Sequence, residues 1–472
     1  MVVMDDSTIA AIASPAGAGG ISIVKISGPS SIPIAASIFK PTSKPSRVQF
    51  IPDRFESHRL YYGHIVDDQS GRTLDEVLLA VMRAPRSYTC EDIVEINCHG
   101  GAAAVRAVLK LVLRKGARLA DPGEFTRRAF LNGRIDLTQA EAVIDIINAR
   151  TDRALEIASA QIGGDLRREV ENIRSLLIER LACNEAAIDF PEIEDVEQSL
   201  DCNMMSRSLR IEIIQPIEQL LRNYYDGRAI REGLTVAIVG RPNVGKSSLM
   251  NRLLSCERAI VTPHPGTTRD AIEADLMIRG MLISLWDTAG LHNSIDPIEV
   301  IGIQKTIECA AQADLILFVV EAHRPLATED YTIYQKIDSK PFMYVLNKID
   351  LIDEFSPQTI IPGDWVEASR IPVSALSGQG IEAVRDAILN YAIGEDFLEM
   401  APLIIPNLRQ KSLLERCVEA AEAAAVAFEK NEPPELIDIH LRQALDRIDE
   451  TLGLSAKTEI IDHIFSRFCI GK

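Results

Sequence analysis

Apolar residues follow several distinct rhythms along the chain, and each marks a different kind of element. Residues 234–239, 315–320 and 342–346 are short unbroken apolar runs, and 282–286 is a further strand-like stretch ending at Asp287. Unbroken runs of this length predict strands buried on both faces, as in a parallel sheet. Upstream, strand-like runs at 8–13, 21–26, 77–82 and 93–97 are punctuated by Pro and Gly, and a helix is expected near 102–114. From 124 to about 228, and again from 408 to 468, the pattern turns helical. There apolar residues recur at three- and four-residue spacing, most clearly through 140–147 and 173–188. Two helical segments flanking an α/β stretch predict insertion of one domain into another, which costs little where the host's loop ends lie close together. The expected fold class is therefore multidomain: an α+β N-terminal domain over 1–121, an all-α domain in two parts over 122–228 and 394–472, and an α/β domain over 229–393 inserted between them.

Five short motifs give the inserted domain a ligand. They are Gly240-Arg-Pro-Asn-Val-Gly245-Lys246-Ser247, Gly266-Thr267-Thr268, Asp287-Thr-Ala-Gly290, Asn347-Lys348-Ile-Asp350 and Ser374-Ala375-Leu376. The first sits between an expected strand and an expected helix. A Gly-rich turn in that setting aims backbone N–H groups and a helix N-terminus at phosphate oxygens, with Asn243, Val244, Gly245, Lys246, Ser247 and Ser248 lining the phosphates. Lys246 adds a compact charge near the β- and γ-phosphates. The Ser247 hydroxyl is a Mg²⁺ ligand, joined by Thr268 when the γ-phosphate is present. Asp287 acts on the same ion through water, and Thr288, Ala289 and Gly290 border the γ-phosphate. Asp350 accepts from the two donors on one edge of guanine, an arrangement adenine cannot satisfy. Asn347, Lys348, Ser374, Ala375 and Leu376 complete the base site. This is a P-loop domain that binds GTP.

Composition narrows the rest. The 472 residues are 47% hydrophobic, yet no apolar run approaches the roughly 20 residues of a membrane span. The opening Met1-Val-Val-Met-Asp-Asp lacks a basic region, so neither a secretory signal nor a transit peptide is expected. Eight cysteines are scattered without a CxxC pair, which predicts reduced thiols and a cytoplasmic protein. A net charge of −18 argues against a general nucleic-acid footprint. Charge is uneven, however: 101–134 holds eight basic and two acidic residues, and 184–201 holds seven acidic and no basic ones. Solvated helix faces are the simpler account of both, with a local RNA contact as the alternative.

Leu291 follows the Asp287-Thr-Ala-Gly290 motif, where a glutamine would orient the attacking water in a Ras-type switch. Hydrolysis then needs another group. Arg241 and Arg269 lie within the phosphate loop and the first switch, so neither is an obvious arginine finger. Asn243 offers a side-chain carbonyl in the phosphate loop, where a monovalent cation would sit against the β- and γ-phosphates and supply positive charge to the transition state.

Outside these motifs stand Cys98-His-Gly-Gly101, Pro122-Gly-Glu-Phe125, Arg128-Ala-Phe-Leu-Asn132, Asp136-Leu-Thr-Gln-Ala-Glu141, Ala187-Ile-Asp-Phe190 and Phe468-Cys469-Ile470-Gly471-Lys472. With them the chain resembles, over essentially its whole length, the MnmE (TrmE) family of tRNA-modification GTPases. The resemblance implies a homodimer, a folate-binding N-terminal domain and a flavoprotein partner, MnmG (GidA), which carries FAD, in a heterotetramer. Together they install an aminomethyl-type group, carboxymethylaminomethyl, at C5 of the wobble uridine of certain tRNAs. It further implies K⁺ held by Asn243, Thr262, Thr267 and the His264 carbonyl, and water positioned by Glu299. A formyl- or methylene-tetrahydrofolate is expected at Lys25, Glu95, Arg134 and Lys472. Two departures stand out: Lys25 where members often carry Arg, and Ala18 in place of an Arg in the Gly-rich loop. Cys469 becomes a candidate for the modification chemistry. A buried structural thiol is the alternative, and a prenylation box fits poorly with Gly471 and Lys472. The second functional reading is a ribosome-assembly GTPase of the Era or Der type. Those relatives carry a KH domain or a second G domain, and this chain shows neither.

Overall fold

The computed structural model describes residues 6–42, 55–189, 202–255, 272–287, 310–352, 361–393 and 404–472, apart from Ala16, Asp338, Asp364, Val366 and Ala456. It divides into two compact units. One comprises residues 1–144, 161–215 and 412–472, the other 145–160 and 216–411.

In the first unit, β1 (Ile9–Ile12), β2 (Ile21–Ser27), β3 (Phe39–Pro41), β4 (Arg59–Val66), β5 (Thr73–Met82), β6 (Ile93–His99) and β7 (Arg118–Leu119) form a sheet in the order β3-β4-β5-β6-β2-β1-β7. Neighbours are antiparallel except β1 and β7. Alternation along β2 sends Val24 and Ile26 into a core shared with helices Ser31–Ile38 and Ala102–Arg114. Lys25 therefore faces the other way, directly across from Glu95 on β6. On that second face, helix Glu124–Leu131 contributes Phe125, which packs with Ile9, Ala11, Ala120 and Tyr88.

The helical part of this unit is held by both apolar and polar contacts. Helix Asp165–Asp189 packs against Pro434–Leu452, where Arg174 pairs with Asp449 at 2.5 Å and the buried Asn184 amide donates to the Pro434 carbonyl at 2.8 Å. The periodicity of 408–468 is divided among Leu408–Glu429, Pro434–Leu452 and Thr458–Ser466. Pro433 and Pro434 cannot continue the first of these, and Gly453 caps the second with φ +84°. The last helix sets Ile461, Ile464 and Phe465 against Leu137 and Ala140. Beyond it, Gly471 lies on β1 with φ +97°, where a Cβ would stand 2.5 Å from the Ile12 carbonyl oxygen. Only glycine lets the chain lie that close.

The second unit is an α/β sheet. Its strands β8 (Leu234–Val239), β9 (Ile272–Ile278), β10 (Met281–Asp287), β11 (Leu315–Glu321), β12 (Phe342–Asn347) and β13 (Arg370–Pro372) run in the order β13-β12-β11-β8-β10-β9. All pairs are parallel except the β9–β10 hairpin, which turns at Arg279 and Gly280. Every residue of β11 and β12 is buried, as the unbroken apolar runs predicted. One face packs against helices Lys246–Ser255 and Ile381–Ile393, the other against Thr328–Ile337.

Candidate functional site

The parallel strands deliver their C-terminal ends to one edge of the sheet, where ligands of open α/β folds bind. The loop after β8 leads directly into helix Lys246–Ser255. Within it Asn243 adopts φ +66° and Gly245 φ +100°, and a Cβ on Gly245 would collide with the Asn347 side-chain amide. Lys246 folds back over its own loop, donating to the Gly240 carbonyl at 2.7 Å and the Arg241 carbonyl at 3.0 Å. Burial pulls its pKa below the usual lysine value, while Asp287 at the end of β10 works the other way. The ammonium is thus poised to exchange two backbone carbonyls for phosphate oxygens.

The side expected to hold the base is built from β12, β13 and the residues that follow them. The Asn347 side chain is buried; its Nδ2 donates to the Val244 carbonyl at 2.7 Å and its Oδ1 accepts from the Ala375 N–H at 3.0 Å. Lys348, at φ +67°, donates to the Asn243 carbonyl at 2.8 Å. Asp350 Oδ1 accepts from the Ser374 hydroxyl at 2.6 Å, and the Ser377 N–H donates to that hydroxyl oxygen at 3.1 Å. A cavity of about 620 Å³ opens beside them, bordered by Gly245, Ser248, Asn347, Asp350, Ala375 and Leu376. The first, fourth and fifth motifs therefore meet at one site.

The same edge holds residues that the sequence did not single out. Arg252, from the helix after the phosphate loop, donates to the Ala375 and Leu376 carbonyls and braces the fifth motif. Glu321, the last residue of β11, pairs with both Arg241 and Lys348. Burial alone would raise its carboxyl pKa, but the Lys348 bond and both cations outweigh that and hold it below the usual range. Arg241 also reaches Asp330 at 3.3 Å.

Among the described residues no group of three His, Cys, Asp or Glu side chains could hold a metal ion by itself. Ser247 lies exposed at the start of its helix, and Asp287 stands beside Lys246. That set suits an ion whose other ligands are phosphate oxygens and water. Thr262, His264, Gly266, Thr267, Thr268, Thr288, Ala289, Gly290, Leu291 and Glu299 lie outside the described residues.

A second cluster lies on the far face of the first unit's sheet. Lys25 pairs with Glu95 at 3.6 Å, and its ammonium stands 5.4 Å from the ring centroids of both Tyr88 and Phe125. The Arg134 guanidinium covers Tyr88 at 4.8 Å and donates to the Tyr88 carbonyl at 2.8 Å. Burial pushes the Lys25 pKa down; Glu95 opposes this, and the neighbouring Lys472 charge adds to it. The four residues named for the folate thus gather around Lys25, with Lys25 and Arg134 on the rings of Tyr88 and Phe125; Tyr88 was not singled out from the sequence. Cys469, three residues before Lys472, is exposed, whereas burial pushes the Cys98 and Cys417 thiols up to about 12.

The basic run of 101–134 is largely neutralised. Arg114 pairs with Asp67, Lys115 with Asp68, Arg118 with Glu124, Arg127 with Asp462 and Arg128 with Glu91 and Glu124. These contacts favour structural faces over an RNA patch.

Comparison with known proteins assigns the chain. The sequence profile of the GTP-binding protein TrmE N-terminus matches residues 8–134, and that of the MnmE helical domain matches residues 137–469. Proteins named tRNA modification GTPase MnmE are similar from end to end. That of Moorella thermoacetica is 44% identical, over 99% of this chain and 100% of its own length. That of Desulfotalea psychrophila is 42% identical over 99% of each. The chain belongs to the MnmE family. As an MnmE-family member it is an enzyme, a GTPase, with the N-terminal TrmE domain, helical domain and P-loop domain expected from sequence. Among solved structures, Era of Aquifex aeolicus bound to GDP and AlF₄⁻ is 27% identical over 40% of this chain and 66% of that chain, at a TM-score of 0.27. The full-length MnmE relatives, not this likeness, carry the assignment. No helix among the described residues is long and apolar enough to cross a membrane.

Proposed function

We propose that the chain is a K⁺-activated, Mg²⁺-dependent GTPase of the cytoplasm, acting as a homodimer with the flavoprotein MnmG. The pair adds a carboxymethylaminomethyl-type group at C5 of the wobble uridine of certain tRNAs, with the one-carbon unit drawn from a tetrahydrofolate. One observation carries this reading: a guanine-nucleotide site and the Lys25–Glu95–Arg134–Lys472 cluster occur together in a chain that full-length MnmE proteins match from end to end.

In the nucleotide site, Asp350 and Asn347 select guanine while Lys246 and the loop N–H groups hold the phosphates. Mg²⁺, when bound by Ser247, neutralises charge developing on the β- and γ-phosphate oxygens. Asn243 is exposed in the phosphate loop with its carbonyl engaged by Lys348, leaving its side chain free to face the phosphates. That supports its role as a K⁺ ligand, with Thr262, His264 and Thr267 as companions and Glu299 orienting water. In the second cluster, one carboxylate, three cations and two rings match a pterin edge with its glutamate tail. Cys469 is exposed on the tail that reaches this cluster, and it is the thiol we assign to the modification chemistry. The homodimer is supported by Leu60, Tyr62 and Leu78, large apolar side chains left exposed on adjacent strands β4 and β5.

Mass analysis of wobble nucleosides from cells lacking the protein tests the function. Loss of the C5-modified uridine, restored by the wild-type gene, is expected. An unchanged nucleoside profile would refute the tRNA role.

A further inference from the structure

Glu321 is a carboxylate with a side chain only 5% exposed, at the end of the central strand β11. Nothing in the five nucleotide motifs calls for it. It nevertheless accepts from two cations that belong to different motifs. Its Oε2 pairs with Arg241 Nη2 of the phosphate loop at 2.5 Å, and its Oε1 pairs with Lys348 Nζ of the guanine motif. Lys348 in turn donates to the Asn243 carbonyl, at a residue held in the left-handed region.

The other end of the Arg241 guanidinium is also constrained. Its Nε lies 3.3 Å from Asp330 Oδ2 without a hydrogen bond, and Asp330 is 1% exposed with Oδ1 unpartnered. Asp330 Oδ2 is bonded to the Ala327 N–H at 2.9 Å. Two carboxylates and two cations thus balance in a half-buried group. Arg241 is turned onto this group, and Glu321 accepts from one cation of each motif.

We propose that Glu321 is a positioning residue that couples guanine recognition to the phosphate loop, by fixing Lys348 on the Asn243 carbonyl and Arg241 beneath the loop. Without it two cations face each other across the vacated carboxylate, and both are free to leave. Lys348 then no longer fixes the carbonyl of Asn243, so one of the two links between the base side and the phosphate side is lost, and the Asn347 bond to the Val244 carbonyl is left to hold them alone. Removing one partner of such a buried group is costly because the others stay desolvated.

A double-mutant cycle on the full chain tests this, with a fluorescent GDP analogue as the probe and thermal melting as the folding control. Glu321→Ala is expected to weaken GDP binding about ten- to a hundredfold, equivalent to the loss of about one charge-assisted bond. In a Lys348→Ala background the further loss from Glu321→Ala is expected to shrink to about threefold or less, because the coupled partner is already gone. A purely structural role would instead leave the two losses multiplicative. If Glu321→Ala does not fold, Glu321→Gln, which keeps the shape and removes the charge, takes its place in the same cycle. Affinity unchanged from wild type, or losses that multiply, would overturn the proposal.

Discussion

Asp350→Asn replaces a carboxylate proposed to accept from guanine with an amide that presents a donor. The structure lets the cost be assigned to the base. Asp350 Oδ1 is already bonded to the Ser374 hydroxyl at 2.6 Å, and the amide oxygen of asparagine can keep that bond, so the loop has no reason to move. What is lost is the pairing with the guanine N1–H and exocyclic amine. Each charge-assisted bond contributes about 1.5–3 kcal/mol, so the pair contributes roughly 3–6 kcal/mol. At 1.4 kcal/mol per tenfold, GDP affinity should fall roughly a hundredfold to ten-thousandfold. Xanthine carries a carbonyl where guanine carries its amine, so xanthosine diphosphate should bind the variant better than the wild type. Isothermal titration of both nucleotides at fixed Mg²⁺ measures the exchange. A GDP loss below about fivefold, set against the energy just estimated, or no gain for the xanthine nucleotide, would remove Asp350 from the base site.

The folate cluster and the cation mechanism give two further tests. Calorimetry of the full chain with formyl-tetrahydrofolate should show binding that Glu95→Ala weakens at least tenfold, because Lys25 then loses its carboxylate partner; undiminished binding would take Glu95 out of the site. Replacing K⁺ with Na⁺ should slow turnover at saturating GTP, and Asn243→Ala should abolish the difference. Glu299→Ala should lower turnover with GTP affinity nearly unchanged, as for a group acting in the transition state. Equal rates in the two salts would sink the cation role.

The legibility of this chain depended on how far each signal reaches along it. The runs at 315–320 and 342–346 were readable as strands because a parallel sheet buries both faces, leaving no polar position to interrupt them. By contrast, β4 passed unnoticed: Arg59, Leu60 and Tyr62 are exposed, and Gly63 and His64 break any clear alternation. Helix Ser31–Ile38 was hidden by its brevity and by Pro33. Motifs pointed to a nucleotide site because their spacing is local. Glu321 and Asp330 have no such signature, since their pairing with Arg241 exists only once β11 lies beside β8. The basic run of 101–134 agrees with the simpler sequence reading of structural faces, although its ion-pair partners could not be named from the sequence. Partners such as Asp67, Glu91 and Asp462 are remote in sequence, so charge counted along the chain overstated charge displayed to solvent.

The docking of Gly471 on β1 has a consequence for the order of events at the ribosome. The first sheet can close once β7 has emerged, yet the cluster on its far face still lacks Lys472. At 5–20 residues per second, synthesis of the intervening chain takes roughly 20 to 70 s. During that interval Lys25 and Glu95 are paired without the Lys472 charge that later stands near them. The Lys25–Glu95 pair can therefore form before the Lys472 charge joins it, so a Lys472→Ala chain should keep the first sheet while altering only the charge around Lys25.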